Sequence, residues 1–197
     1  MKIIYTDLDG TLLDHNTYSY AAALPALQQC ALANIPVIFN TSKTFQEVRI
    51  LQEKLDLQTP FIIENGAAIY IPKTFARNLG LDVDTCINQY ECSDTADYLV
   101  KIFALPNTHW QRILEQMPRW HSLYKALSQT PVDEIVALTG LDHEQARQAQ
   151  QRQYGEPLFW LGTEAEKQLF IDEIKQVGAV PIQGGRFYIS TVQPTKA

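Results

Sequence analysis

Two aspartates one residue apart end an apolar run near the start of the chain, where Ile3-Ile4-Tyr5-Thr6 leads into Asp7-Leu8-Asp9-Gly10-Thr11. Side chains alternate along a strand, so positions 7 and 9 share a side and their carboxylates meet at the strand's carboxyl end. In open α/β sheets that end is where ligands bind. Two carboxylates so close repel, and a bound divalent cation relieves the repulsion while neutralising a phosphate dianion. Asp7 is therefore a candidate nucleophile forming an acyl phosphate, Asp9 a candidate acid and base, and both are candidate Mg²⁺ ligands. Gly10 allows a sharp turn, and Thr11 can hydrogen-bond back to hold the loop. A calcium loop fits poorly: Gly10 falls at loop position 4 instead of 6, and position 12 is Tyr18 instead of Glu. An ordinary Asp-Gly turn is the structural alternative that the pentapeptide leaves open.

A second group stands at Asn40-Thr41-Ser42-Lys43-Thr44, after Pro36-Val37-Ile38-Phe39 and before a helical segment. Hydroxyls, a lysine and a helix N-terminus together suit a phosphate. The same residues also read as a helix cap, with Ser42 or Thr44 at the N-cap and Glu47 closing a capping box after Thr44. The two roles are compatible.

These groups need elements to hold them. Residues 2–6, 35–39 and 61–63 are short apolar runs of the buried-strand type. Residues 19–33 and 45–57 carry helical spacing, the latter at Val48, Leu51 and Leu55. Asn65-Gly66 before Ala-Ala-Ile-Tyr-Ile signals a hairpin. Strands alternating with helix-length segments predict a parallel α/β sheet. From about Leu81 the pattern changes. Strand-like pieces at 88–92, 159–161 and 187–189 interleave with helices near 95–103, 108–118, 132–138, 142–153 and 164–176. The expected organisation is a core over 1–80, an inserted α+β unit over 81–184, and a return to the core over 185–197. Hinges are expected near Gly80 and Gly184.

Sixteen basic residues against twenty-two acidic ones give a formal charge of −6, which argues against a duplex nucleic-acid partner. No stretch reaches 18 apolar residues and no leader segment is recognisable, so no membrane partner and a cytoplasmic location are expected. Cys30, Cys86 and Cys92 form no CxxC pair, which disfavours a disulfide framework or a zinc site. Trp110, Trp120 and Trp160 read as core packing, and His109, His121 and His143 lack ligand spacing. His15 lies in the loop after the first motif.

Asp7-Leu-Asp-Gly-Thr11, Thr41-Ser-Lys-Thr44 and Glu64-Asn-Gly-Ala-Ala-Ile-Tyr70 resemble the haloacid dehalogenase superfamily of phosphatases. The resemblance narrows to its mannosyl-3-phosphoglycerate phosphatases through Leu138-Thr-Gly-Leu141, Ala146-Arg147, Tyr154-Gly-Glu-Pro157 and Gly184-Gly-Arg-Phe-Tyr188. It implies a Rossmann-like parallel-sheet core with an inserted α+β cap of the C2 type. It also implies a Mg²⁺-dependent phosphomonoesterase acting on a glycosylated 3-phosphoglycerate, a step towards a compatible solute. On that pattern Asp7 is nucleophile and metal ligand, and Asp9 is acid/base with its backbone carbonyl on the metal. Thr41 and Ser42 bind phosphate together with Lys196, which matches the third-motif lysine. Lys43, Glu156, Gly185 and Arg186 become substrate-recognition candidates.

The acidic cluster of the superfamily's fourth motif has no counterpart here. Asp82-Val-Asp84 and Asp94-Thr-Ala-Asp97 do not follow a core strand, and Asp172-Glu173 reads as a solvated helix face. A C-terminally shortened, incomplete core is therefore expected, with an exposed sheet edge through which chains could associate. A non-catalytic remnant that binds a sugar phosphate or a protein, and a phosphomutase, are the rival readings.

Overall fold

The computed structural model describes residues 2–15, 17–90, 93–184 and 187–190. Its contacts divide the chain into two compact units, Met1–Lys43 with Val48–Ile102, and Thr44–Glu47 with Phe103–Ala197.

The first unit holds a six-stranded sheet in the order β1-β2-β3-β4-β6-β5. Its strands are β1 (Ile4–Thr6), β2 (Val37–Asn40), β3 (Phe61–Ile63), β4 (Ala68–Pro72), β5 (Ser93–Asp94) and β6 (Tyr98–Ile102). Among the described residues of this sheet only β1, β2 and β3 run parallel, with Ile4 opposite Val37 and Phe39 opposite Phe61. The connections are α1 (Leu24–Leu32) and α2 (Phe45–Lys54). Phe39, Phe61, Ile63, Leu8 and Val48 are fully buried, as a parallel sheet requires of its apolar runs. The Asn65-Gly66 signal does make a hairpin, pairing Phe61 with Tyr70, whose rings stack 5.4 Å apart.

Three expectations change in this unit. Residues 98–102 form a strand where a helix near 95–103 was expected, because Tyr-Leu-Val-Lys-Ile pairs over five residues with β4. The strand expected at 88–92 is largely helical, since α4 (Val83–Tyr90) covers residues 88–90. Residues 81–102 consequently pack with the first unit, and the division falls at 102/103 instead of 80/81. Gly80 lies between α3 (Lys73–Asn78) and α4, inside that unit, away from any division.

The second unit is built on a four-stranded antiparallel sheet, β7-β8-β10-β9. Its strands are β7 (Tyr124–Ala126), β8 (Glu156–Trp160), β9 (Pro181–Gly184) and β10 (Phe187–Ser190). Its helices are α5 (Asn107–Glu115), α6 (Val132–Thr139), α7 (His143–Gln150) and α8 (Glu164–Gln176). Alternation along β8 sends neighbouring residues to opposite faces. Leu158 joins Trp110, Leu114, Trp120, Phe170 and Ile174, whereas Phe159 joins Leu127, Ile135 and Ala146. Both faces are covered, which explains an unbroken buried run. The three tryptophans are packing residues here, as the sequence suggested. Residues 187–190 pair with β8 and β9, so they belong to this sheet and are not a return to the first one.

α6 stops at Gly140, whose φ of +76° is left-handed and whose N–H reaches the Val136 carbonyl. A side chain there is strained by the backbone alone. Gly140→Ala is expected to cost about 1 kcal/mol, read as a lowered midpoint in a urea melt of the whole chain.

Candidate active site

Asp7 leaves β1 and Asp9 follows two residues later, with Leu8 between them fully buried. That burial pins the loop like a third strand residue. Leu13 N–H and Thr11 N–H both donate to the Leu8 carbonyl, at 2.8 and 3.2 Å. Gly10 takes φ +70° to make the turn. Both aspartates are exposed. The Leu8 N–H donates to Asp7 Oδ1 at 2.7 Å, fixing one oxygen of that carboxylate. His15 Nδ1 lies 3.7 Å from where a Cβ on Gly10 would stand, which puts this histidine beside the turn.

Lys43 Nζ sits 2.9 Å from Asp9 Oδ1, with the lysine side chain 15% and the aspartate 40% exposed. Opposite charge across this distance offsets the repulsion that two neighbouring carboxylates create. The ammonium also lies 5.1 Å from the centroid of the Tyr18 ring, a cation–π contact. Tyr18 holds φ +54°, unusual for an aromatic residue, in the loop that follows the first motif. Its part could not be read from the sequence, where it appeared only as a misfit in a calcium-loop register.

The second motif turns at the end of β2. Thr41 is 3% exposed; its Oγ1 accepts from the Lys43 N–H at 3.2 Å, and its N–H donates to the Ile62 carbonyl. Ser42 is half-buried. Thr44 caps α2 through the capping box read in the sequence: its N–H and hydroxyl donate to Glu47 Oε2 at 2.8 and 2.9 Å, and Glu47 N–H donates back at 3.3 Å. The hairpin after β3 buttresses this turn from the other side. Glu64 N–H donates to the Lys43 carbonyl and Asn65 N–H to the Thr41 carbonyl, both at 3.0 Å. Glu64 and Asn65 hold φ +47° and +60°, and Glu64 is almost fully buried. These two left-handed residues fix where Lys43 stands, a service that the hairpin signal did not disclose.

A metal fit can be judged from the donors. Mg²⁺ binds through one or two carboxylates, completed by water and substrate phosphate oxygens. Asp7 and Asp9 supply two exposed carboxylates at a strand's carboxyl end, which meets that requirement. No cluster of three His, Cys, Asp or Glu residues that could hold a metal occurs among the described residues. The acidic pairs set aside in the sequence have other work. Asp82 Oδ2 accepts from the Thr85 hydroxyl and N–H at the start of α4, which holds its carboxyl below the usual range. Asp94 pairs with Lys73, and Asp172 accepts from Gln168.

Glu156 is placed differently from expectation. It lies in the second unit, 1% exposed, and both carboxylate oxygens are engaged. Oε1 accepts from Ser128 N–H at 3.0 Å, and Oε2 accepts from Asn107 Nδ2 at 3.1 Å and Gln111 Nε2 at 3.2 Å. A carboxylate so enclosed joins α5, the segment after β7 and β8, and offers no oxygen to a substrate. Burial, followed by the negative charge of Glu156, raises the Tyr124 phenol. Gly185, Arg186 and Lys196 lie outside the described residues.

Residues 4–137 match the family model of the haloacid dehalogenase-like hydrolases. Over 188 residues the chain is 34% identical to a glucosyl-3-phosphoglycerate/mannosyl-3-phosphoglycerate phosphatase of Persephonella marina. It is 36% identical to a protein of the same name from Methanococcoides burtonii. Each match covers 94% of this chain but 65% of the relative, so the chain spans about two thirds of their length. Among solved structures, a haloacid dehalogenase-like hydrolase from B. subtilis aligns with a TM-score of 0.60 at 17% identity, covering 98% of this chain and 73% of that one. A phosphatase of the same superfamily from Bacteroides thetaiotaomicron aligns with 0.61 at 15%, covering 99% and 68%. These structural likenesses extend to the fold. No helix among the described residues is long and apolar enough to cross a membrane.

Proposed function

Because this chain belongs to the haloacid dehalogenase-like hydrolases, we propose that it carries the nucleophile and acid/base pair of a cytoplasmic Mg²⁺-dependent phosphatase. Its substrate is a small glycosylated 3-phosphoglycerate. The observation that carries this reading is the pair Asp7 and Asp9 at the end of β1, with Lys43 2.9 Å from Asp9. The names of the Persephonella and Methanococcoides relatives supply the substrate class.

Asp7 attacks phosphorus with a carboxylate oxygen, and the bond from phosphorus to the glycerate oxygen breaks. The proton on Asp9 passes to that leaving oxygen. Asp9, now a carboxylate, then takes a proton from water as the water oxygen attacks the aspartyl phosphate, which frees phosphate and restores Asp7. Asp7 through its carboxylate and Asp9 through its backbone carbonyl would hold Mg²⁺, which would neutralise charge on the phosphoryl oxygens. The Leu8 N–H fixes one oxygen of Asp7, so the carboxylate is oriented before substrate arrives. Thr41 and Ser42, at the N-terminal approach to α2, offer hydroxyls to the phosphoryl group, with Lys196 as the third phosphate ligand. Lys43 orients Asp9 and reaches the substrate's anionic part; Gly185 and Arg186 remain substrate-recognition candidates. Glu156 has no part in substrate contact in this reading, since its carboxylate is enclosed.

Phosphate release from mannosyl- and glucosyl-3-phosphoglycerate, assayed with Mg²⁺ and with EDTA, tests this function. Metal-dependent release supports it. The rival reading, a binding protein without turnover, is favoured by the two-carboxylate donor set; ligand-induced stabilisation with no release at any Mg²⁺ concentration would establish it. Lys43→Ala is expected to lower kcat/KM by about tenfold to a hundredfold, the range for losing one charge-assisted contact. An unchanged kcat/KM would remove Lys43 from the site.

A further inference from the structure

Tyr18 combines a strained backbone with a contact to the cation of the site. Its φ of +54° disfavours a bulky side chain. A residue in that region persists where its surroundings over-determine it, and here they do. The Tyr18 N–H donates to the Asp14 carbonyl at 3.0 Å, and the Asp14 N–H donates to the Ser19 carbonyl at 2.9 Å. Asp14 Oδ1 accepts from the Thr17 N–H and from the Thr17 hydroxyl, both at 2.8 Å. Three successive residues, Thr17, Tyr18 and Ser19, are thus tied to one aspartate. Burial is not what the strained residue gains, since Tyr18 is 37% exposed. Its ring instead lies 5.1 Å from Lys43 Nζ.

Two different forces act on that ammonium. Asp9 Oδ1 attracts it by charge at 2.9 Å, and the ring attracts it through its negative face. A lysine head is a hydrated point charge on a flexible stem, and an ion pair to a carboxylate that is 40% exposed holds it weakly. The ring limits the swing of the stem without prescribing a hydrogen-bond direction. The ammonium can therefore turn from Asp9 towards an arriving anion and stay on the ring.

We propose that Tyr18 is a positioning residue that, through Lys43, makes the site prefer phosphate esters that also carry a carboxylate. An ammonium already ordered loses less freedom when a carboxylate binds it, so the gain falls on the acid and not on an uncharged analogue. This rests on the reading of Lys43 as a contact for the substrate's anionic part.

The test uses two ligands, 3-phosphoglycerate and glycerol 3-phosphate, in which a carboxylate is exchanged for a hydroxymethyl group. Their binding in the presence of Mg²⁺ is followed by NMR of the lysine methylene protons in the native chain, Tyr18→Phe and Tyr18→Leu, with Lys43 assigned by its loss in Lys43→Ala. The native chain should bind the acid more tightly. Tyr18→Phe keeps the ring and should keep that preference within about twofold, whereas Tyr18→Leu should reduce it by about tenfold. The Lys43 methylene signals should be shifted upfield by the ring in the native chain and in Tyr18→Phe, and return to ordinary positions in Tyr18→Leu. An unchanged preference in Tyr18→Leu, an equal loss of both ligands, no preference in the native chain, or Tyr18→Phe behaving as Tyr18→Leu overturns the proposal. A preference that follows the ring, in a native chain that releases no phosphate from a glycosyl-3-phosphoglycerate, supports the role of Tyr18 and counts against the phosphatase reading alone.

Discussion

Asp7→Asn is expected to lower metal-dependent phosphate release by at least about a thousandfold, the scale on which losing a nucleophile acts. The substitution preserves shape and leaves an oxygen to accept the Leu8 N–H now held at 2.7 Å. Asp7 is exposed, so no buried group is orphaned, and the thermal midpoint should move by little. The loss is therefore attributable to chemistry. Asp9→Asn behaves differently if Asp9 moves the proton. It slows release by about a hundredfold to ten-thousandfold, and phosphoenzyme accumulates if the second step is slowed more than the first. Comparable residual activities in the two variants, with no phosphoenzyme in either, would mean that the two aspartates act only as metal ligands.

The second large effect is one of stability. Glu156→Ala is expected to destabilise the second unit by about 2–4 kcal/mol, because a buried carboxylate that three donors share, Asn107 buried and Gln111 and Ser128 half-buried, is lost. The Ser128 N–H and the Asn107 and Gln111 amides all point at this one carboxylate. For a unit of this size the loss corresponds to a fall of roughly 10 °C or more in Tm. Glu156→Gln keeps one acceptor oxygen but sets a donor against one of those donors, and should fall between Ala and the native residue. In Glu156→Gln the KM for a glycosyl-3-phosphoglycerate should stay near the native value. A raised KM with native Tm would instead return Glu156 to the substrate.

The carboxylate-bearing end of β1 is legible because its signal is local. An apolar run, a period of two and Asp-x-Asp-Gly suffice to place two carboxylates at a strand end, and the structure has them there. The capping box at Thr44 and Glu47 is equally local and equally readable. What escaped depends on partners far along the chain. Tyr98–Ile102 is a strand through pairing with β4, some thirty residues earlier, and with the short β5. Glu156 stands in a polar-looking Gly-Glu-Pro stretch that opens β8, and its hydrogen-bond partners Asn107 and Gln111 lie more than forty residues before it. Lys43 was visible as a cation near hydroxyls. That it rests on Tyr18 and is braced by two left-handed residues, Glu64 and Asn65, required backbone conformations that side-chain patterns do not encode.

The division of the chain escaped for a related reason. The change of pattern near Leu81 corresponds to α3 and α4, which follow the antiparallel β4 and precede β5 and β6. It does not mark the end of the unit, because β6 and β5 extend the same sheet beyond β4.

The central assignment is covalent catalysis by Asp7, and it is tested most directly by acid-quenching the chain during turnover of mannosyl-3-phosphoglycerate with Mg²⁺ and sequencing its peptides by mass spectrometry. We expect one phosphoryl group on the peptide spanning residues 3–11, localised to Asp7, removed by hydroxylamine and absent from Asp7→Asn. Turnover with no modified Asp7 under any quench, or a phosphoryl group on another residue, would contradict the assignment.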